Sequence, residues 1–189
     1  MENFDKLDEV FVSREDIFSG RVLHLVNDTV SLPDGTLAKR EICIHSGGVA
    51  IIPLLQGGRV ITERQFRYAH KRIFREIPAG KLEASDSNTL EAAKRELFEE
   101  TGAVARKYTY LGKIASTPAL IDEVIHLYLA EDITFGERRL DDGEFLNVTT
   151  EPLSDLYDMV IGGEIEDAKT QIAILKTAVL RPQYLKKEN

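Results

Sequence analysis

The apolar pattern divides the chain into runs of different period. Val49 to Leu55 is continuously apolar, as a strand buried on both faces would be. After Gly57-Gly58, Arg59 to Arg67 mixes β-branched and charged residues, which suits a strand with one wet face. Val124 to Ala130 alternates and reads as another strand. Between them the period changes. Leu90, Ala93 and Leu97 recur at helical spacing within Thr89 to Thr101, and Gly102 stands where a C-terminal stop is expected. Two more helical segments, near Pro152 to Ile161 and Asp167 to Leu180, are split by Gly162-Gly163. Ahead of all these, Arg21 to Ser31 and Leu37 to His45 are extended runs joined by Leu32-Pro33-Asp34-Gly35-Thr36. Proline presets φ and glycine accepts the positive φ that follows, so the pair reads as a hairpin. Ser46-Gly47-Gly48 separates it from the rest. The order of elements predicts a mixed α+β sandwich rather than a regular βαβ repeat, with an N-terminal β subdomain over 1–46 and a main domain over 47–189.

Composition narrows the classes. The chain has 189 residues, enough for a proper core in one domain with a small appendage. Cys43 is the only cysteine, which excludes an internal disulfide framework and a cysteine-cluster metal site, and inside a β run it reads as a small packed side chain. No apolar run approaches the ~20 residues of a membrane helix, and the start lacks a signal-peptide charge pattern. The expectation is a protein of the cytoplasm with no membrane partner. A net charge of -8, from 24 Lys+Arg against 32 Asp+Glu, argues against a broad nucleic-acid footprint. His24, His45, His70 and His126 show no ligand spacing and read as structural. Walker, nucleophile-elbow and dinucleotide fingerprints are absent.

The chemistry concentrates in Arg95-Glu96-Leu97-Phe98-Glu99-Glu100-Thr101-Gly102. On a helix, Glu96, Glu99 and Glu100 fall within an arc of about 140° or less. Leu90, Ala93 and Leu97 occupy the adjoining arc, so the carboxylates border the buried stripe. They repel one another and sit near the helix C-terminus, where the dipole disfavours anions. A solvated acidic face would have this pattern. So would an all-oxygen site for a hard divalent ion, Mg²⁺ with Mn²⁺ as substitute, which prefers to share its ligands with phosphate. Upstream, Ile77-Pro78-Ala79-Gly80 leads into a polar loop, and a glycine there permits close approach of backbone to a ligand. Local charge is also uneven. From Glu63 to Glu76 the chain holds five cations (Arg64, Arg67, Lys71, Arg72, Arg75) against two acids.

Gly80, the loop and Arg95 to Ala103 resemble the Nudix box, Gly-x5-Glu-x7-Arg-Glu-U-x-Glu-Glu-x-Gly-U, with U a bulky apolar residue. Five residues separate Gly80 from Asp86, where the family has Glu, and eight rather than seven separate Asp86 from Arg95. The last U position is the small Ala103. Phe66-Arg67-Tyr68, the run Arg75 to Glu83, Lys39-Arg40-Glu41 and Thr117-Pro118 resemble the ADP-ribose pyrophosphatase branch, whose marker proline lies about fifteen residues past the box, as Pro118 does from Ala103. The resemblance spans roughly Phe18 to Lys176.

It implies a Nudix α/β/α sandwich with a mixed sheet, and an N-terminal β element that swaps or packs across a homodimer. It implies hydrolysis of ADP-ribose to AMP and ribose 5-phosphate with divalent metal. Glu96 and Glu100 are then the principal metal ligands, Glu99 assists, and the Ala79 carbonyl contributes an oxygen. In Leu140-Asp141-Asp142-Gly143-Glu144-Phe145, Glu144 fits a further ligand or the general base, with Asp142 the other candidate. Arg67 matches a phosphate-contacting arginine, Arg40 and Glu41 residues that read the adenine edge, Pro118 the marker proline of the substrate loop, and Glu123 an acid near the ribose. The same pattern also admits hydrolysis of another nucleoside diphosphate-linked sugar or cofactor, or a catalytically silent ADP-ribose-binding sensor.

Overall fold

A computed structural model describes residues 7–137 and 145–186. By compactness the chain divides in two. One unit runs through Gly47 and includes Ala115–Glu123, and the other holds Gly48–Ile114 and the chain from Val124 on.

In the first unit, β1 (Val10–Ser19), β2 (His24–Ser31) and β3 (Leu37–Ile44) form an antiparallel sheet in the order β1-β2-β3. The expected β2–β3 hairpin is present, closed by Leu32 and Thr36 at 2.8 Å with the Asp34 carboxylate accepting the Thr36 N–H. Two details differ from expectation. The extended run begins at His24 rather than Arg21, because the Gly20 N–H donates to the Leu23 carbonyl in a tight turn. And β1 adds a third strand, every residue of which is exposed, so no buried face gave it a sequence signature.

The second unit holds the rest: β4 (Gly48–Pro53), β5 (Arg59–Arg67), β6 (Arg72–Glu76), β7 (Ala79–Lys81), α1 (Thr89–Thr101), β8 (Ala103–Ala115, whose last residue belongs to the first unit), β9 (Val124–Phe135), β10 (Leu146–Pro152), α2 (Leu153–Ile161) and α3 (Ala168–Leu180). One mixed sheet has the order β7-β4-β9-β8, with β4 antiparallel to β7 and parallel to β9. A second, antiparallel, has the order β10-β5-β6. Successive residues of β4 point to opposite faces. Val49 and Ile51 enter one core with Ala92, Ala93 and Leu97 of α1; Ala50 and Ile52 enter the other with Leu156 of α2 and Ile174 of α3. This is the layered α+β sandwich the pattern predicts. Burial on both faces explains the unbroken apolar run of β4. The central strand β5 is likewise buried from Val60 to Glu63, and only its second half alternates.

Helix α1 has the expected span. Asn88 Oδ1 accepts the N–H groups of Leu90 and Glu91 at 2.9 and 3.1 Å, two donors that the helix leaves unpaired. Gly102 ends it at φ 71°, a left-handed conformation that costs glycine little. Among the described residues no helix is long and apolar enough to cross a membrane.

Candidate active site

Three elements of the second unit bring the box together. The register of β4 against β7 sets Val49 opposite Gly80 and Ala50 opposite Ala79. Helix α1 lies over the Val49/Ile51 face, anchored by Leu97, which is fully buried. Glu96 therefore leaves the helix directly above Gly80. A Cβ built on Gly80 would lie 2.0 Å from the Glu96 carboxyl carbon, so any other residue there would push that carboxylate out of its place. Glu100 is 2% exposed, and its Oε2 accepts the Ala79 N–H at 3.0 Å.

Arg95 ties the loop to the helix. Its Nε and Nη2 reach the Asp86 carboxylate at 3.2 and 3.0 Å, and Nη2 also donates to the Lys81 carbonyl at 3.1 Å. Nη1 donates to Glu96 at 2.8 Å and to Glu99 at 3.0 Å. These bonds use all the hydrogens of a guanidinium. Hydrogen bonds from Arg95, then from the Glu83 N–H, hold the Asp86 carboxyl below its ordinary range, and the Asp86 bond raises Arg95 further. Asp86 is thus the loop's clamp. An acid one methylene shorter than glutamate, in a loop one residue longer, still grips Arg95 at both oxygens.

Of the proposed ligands, Ala79, Glu96 and Glu100 meet around Gly80, while Glu99 is linked to Glu96 through Arg95. Arg95 meets part of the need for cations that the three glutamates create. Among the described residues no three acids or imidazoles converge as a preformed metal cage. The donor set nevertheless fits a hard divalent ion: it consists of carboxylates and backbone oxygen, and a side chain at residue 80 would fill the place where Glu96 meets the loop.

Arg67 ends β5, and its Nε and Nη2 grip the Glu76 carboxylate at 2.6 and 2.8 Å. Asp142 and Glu144 lie outside the described residues. The remaining candidates belong to the first unit. Arg40 forms a forked pair with Glu9 and donates to the Lys39 carbonyl. Glu41 faces Asn27 across the β2–β3 register. Glu123 accepts from Ser116 at 2.7 Å in the segment that carries Pro118. The basic stretch is less free than its sequence suggests, since Arg72 pairs with Glu166 and Arg75 with Glu151.

A sequence model of the NUDIX domain matches residues 45–171, which is the greater part of the chain. The chain belongs to the NUDIX domain family. An ADP-ribose pyrophosphatase of Bacillus subtilis is 41% identical over 170 residues, covering 89% of this chain and 91% of that protein. A methanol dehydrogenase activator of Bacillus methanolicus is 37% identical over 169 residues, covering 88% and 91%. Among solved structures, an ADP compounds hydrolase superposes with a TM-score of 0.83 at 19% identity, covering 95% of this chain and 97% of that one, a likeness of fold. The NUDIX match spans Gly80, Asp86, Arg95, Glu96, Glu99 and Glu100. Sequence reasoning missed Glu76 and Lys169, whose Nζ also bonds the Glu76 carboxylate, because 93 residues separate them.

Proposed function

We propose that the protein is an ADP-ribose pyrophosphatase, hydrolysing the pyrophosphate bond of ADP-ribose to AMP and ribose 5-phosphate. The observation that carries this reading is the seat of Glu96 against Gly80, which presses a carboxylate onto strand β7 beside Ala79, whose N–H holds Glu100. The pyrophosphatase relative, alike over nine-tenths of its length, supports the substrate.

Glu96, Glu100 and the Ala79 carbonyl would hold Mg²⁺, with Glu99 assisting and Mn²⁺ as a substitute. Bound there, the ion supplies charge neutralisation at the pyrophosphate and a more acidic water. The rest falls to the chain's own side chains. Arg95 fixes the rotamers of Glu96 and Glu99, so little reorganisation is needed when substrate arrives. Glu100 fixes the Ala79 peptide through its N–H. Arg67, gripped from behind by Glu76, presents a guanidinium to phosphate oxygens. Glu144 or Asp142 takes the proton from the attacking water. Arg40 and Glu41 read the adenine edge, Pro118 belongs to the substrate loop, and Glu123 lies near the ribose.

The reading includes a homodimer formed through the N-terminal β unit, and a cytoplasmic location in keeping with a single unpaired cysteine. The test is a panel: purified protein, Mg²⁺, ADP-ribose and other nucleoside diphosphate sugars and dinucleotides, with AMP and phosphosugar release followed. Preferred turnover of ADP-ribose is expected. Equal or better turnover of another member would reassign the substrate, and no turnover of any would leave a ligand-binding sensor.

A further inference from the structure

The β10-β5-β6 sheet buries more charge than its fold requires. Glu63 on β5 and Glu76 on β6 are 1% and 2% exposed, and they stand directly opposite in the antiparallel register. Opposed residues on one face have Cβ atoms about 5 Å apart, so two ionised carboxylates at such positions repel unless cations compensate them. A buried charge is tolerated only when paired and hydrogen-bonded. Arg67 supplies one cation at the open end. The second comes from α3: Lys169, with a side chain only 12% exposed, donates Nζ to Glu76 Oε2 and, at 3.0 Å, to Asp167 Oδ1. Asp167 is itself fixed as the N-cap of α3, accepting the Thr170 N–H at 3.0 Å, and Thr170 Oγ1 in turn accepts the Ile77 N–H at 3.0 Å. Burial pushes the Glu76 carboxyl up, but the bonds from Arg67 and Lys169 outweigh burial and hold it below the ordinary range.

Two cations thus divide one buried carboxylate between them. Lys169 approaches from the interior. Arg67 approaches from the surface, its side chain 42% exposed. The bidentate grip uses Arg67 Nε and one hydrogen of Nη2, and it fixes the plane of the guanidinium while part of it faces solvent. Without Lys169, Arg67 would be left to carry the Glu76 carboxylate without the lysine's share. The guanidinium would be drawn inward and its positive charge cancelled.

We propose that Lys169 is a positioning residue for substrate binding, one that acts through Glu76 to keep Arg67 outward and cationic for the phosphates of a nucleoside diphosphate. This rests on the role assigned to Arg67 under the proposed function. Lys169 does not itself touch the substrate, so its effect must vanish when Arg67 is absent.

The test is a double-mutant cycle with Lys169→Met and Arg67→Ala, and with Lys169→Arg as the charge-conserving control. Steady-state KM and kcat for ADP-ribose are measured with Mg²⁺. In parallel, the binding of inorganic pyrophosphate is measured by calorimetry, which needs no turnover and stays informative should ADP-ribose prove the wrong substrate. Lys169→Met is expected to raise KM, and to weaken pyrophosphate binding, on the order of tenfold, with a much smaller change in kcat. Lys169→Arg should recover most of that loss. In the Arg67→Ala background, Lys169→Met should add less than about twofold. Should Lys169→Met fail to fold, Lys169→Gln, which keeps a donor toward Glu76 without the charge, replaces it. Losses that multiply in the double variant would mean direct contact or independent action and overturn the proposal. So would a Lys169 variant with wild-type KM and pyrophosphate affinity, or a wild-type protein that binds no pyrophosphate.

Discussion

The carboxylate of Glu96 rests on the α-carbon of Gly80, with a hypothetical Cβ there falling 2.0 Å from its carboxyl carbon and 2.0 Å from its Oε1. Real Cβ atoms never approach so closely, and the Arg95 bond at 2.8 Å restrains Glu96 from swinging aside. Gly80→Ala should therefore displace the acid without unfolding the chain, since residue 80 sits in a short strand at the rim of the sheet. Misplacing a group at the reacting centre by about 1 Å costs roughly 100-fold. The expected result is a fall of that order in kcat for ADP-ribose, with far-UV circular dichroism unchanged. Near-normal activity would mean that Glu96 is not held where the chemistry occurs.

Glu100 makes a different prediction, because its neighbour is backbone. It is 2% exposed and accepts the Ala79 N–H at 3.0 Å. Glutamine has the same shape and can accept the same bond through its amide oxygen, but it carries no charge. Glu100→Gln should fold and melt within a few degrees of the wild type while losing turnover by about two orders of magnitude or more. Thermal melts with titrated Mg²⁺ separate the cause. At 100 times Kd a ligand adds about 2.7 kcal/mol of stability, so Mg²⁺ should raise the wild-type melting temperature and barely move that of the variant. Equal shifts in both proteins would remove Glu100 from the ligand set.

The legible parts of the sequence were those with one environment per face. Helix α1 announced itself through the Leu90/Ala93/Leu97 stripe and Gly102, and β4 through an unbroken apolar run that proves to be buried on both faces. The strands that went unread have mixed surroundings. In β8, Ala103 and Ala105 are buried but Arg106 and Lys107 are exposed, and β10 carries Asn147 and two threonines. Strand β7 has only three residues, too few for any period, yet it sets the register of the box loop. The site divides the same way. Spacing within one helix placed Glu96, Glu99 and Glu100 together. The clamp at Asp86 needed the loop's path, and the Glu76–Lys169 bond joins β6 to α3 across the fold, which no local pattern encodes.

Acid should expose a separate fastening at the end of the chain. Glu131 on β9 accepts Arg181 Nε and Nη2 at 2.7 and 2.6 Å and Lys107 Nζ at 2.8 Å. The Arg181 bonds, the largest effect, outweigh the opposing effect of burial and, with a further contribution from Lys107, bring its carboxyl from an ordinary 4.5 down to about 2. A depressed folded-state value gives stability that is complete above the unfolded value and lost as pH falls toward the folded one. The difference in stability between wild type and Glu131→Gln should therefore be constant from neutral pH to about 5 and shrink steadily below 4.5. Water around the open side of the cluster screens the interaction to about 1 kcal/mol, or roughly 2–4 °C in melting temperature. A gap that widens on acidification would reverse the sign and refute the assignment.

The N-terminal sheet predicts an oligomer that sedimentation can measure. Strand β1 lies at the edge of the β1-β2-β3 order, and Val10, Phe11, Val12, Ile17 and Phe18 are each at least half exposed. A long apolar edge strand left open is a template for association, which natural proteins usually blunt with charge. Of the charged residues Arg14, Glu15 and Asp16 at its middle, Arg14 turns back across the strand pair to grip Asp28 at 2.7 and 2.8 Å and Asp16 meets His24 Nε2 at 2.6 Å, while the apolar positions lie toward the two ends of the strand. In the homodimer reading, the strand's partner is a second copy. The wild type should sediment at twice 21.2 kDa, and Phe11→Glu with Phe18→Glu should sediment at the single-chain mass with its circular dichroism retained. Both positions lie on β1, outside the Gly80–Glu100 site, so loss of ADP-ribose turnover in that folded monomer would further mean that catalysis depends on the dimer. A variant that remains dimeric would place the interface on another face of the molecule, and a monomeric wild type would end the homodimer reading.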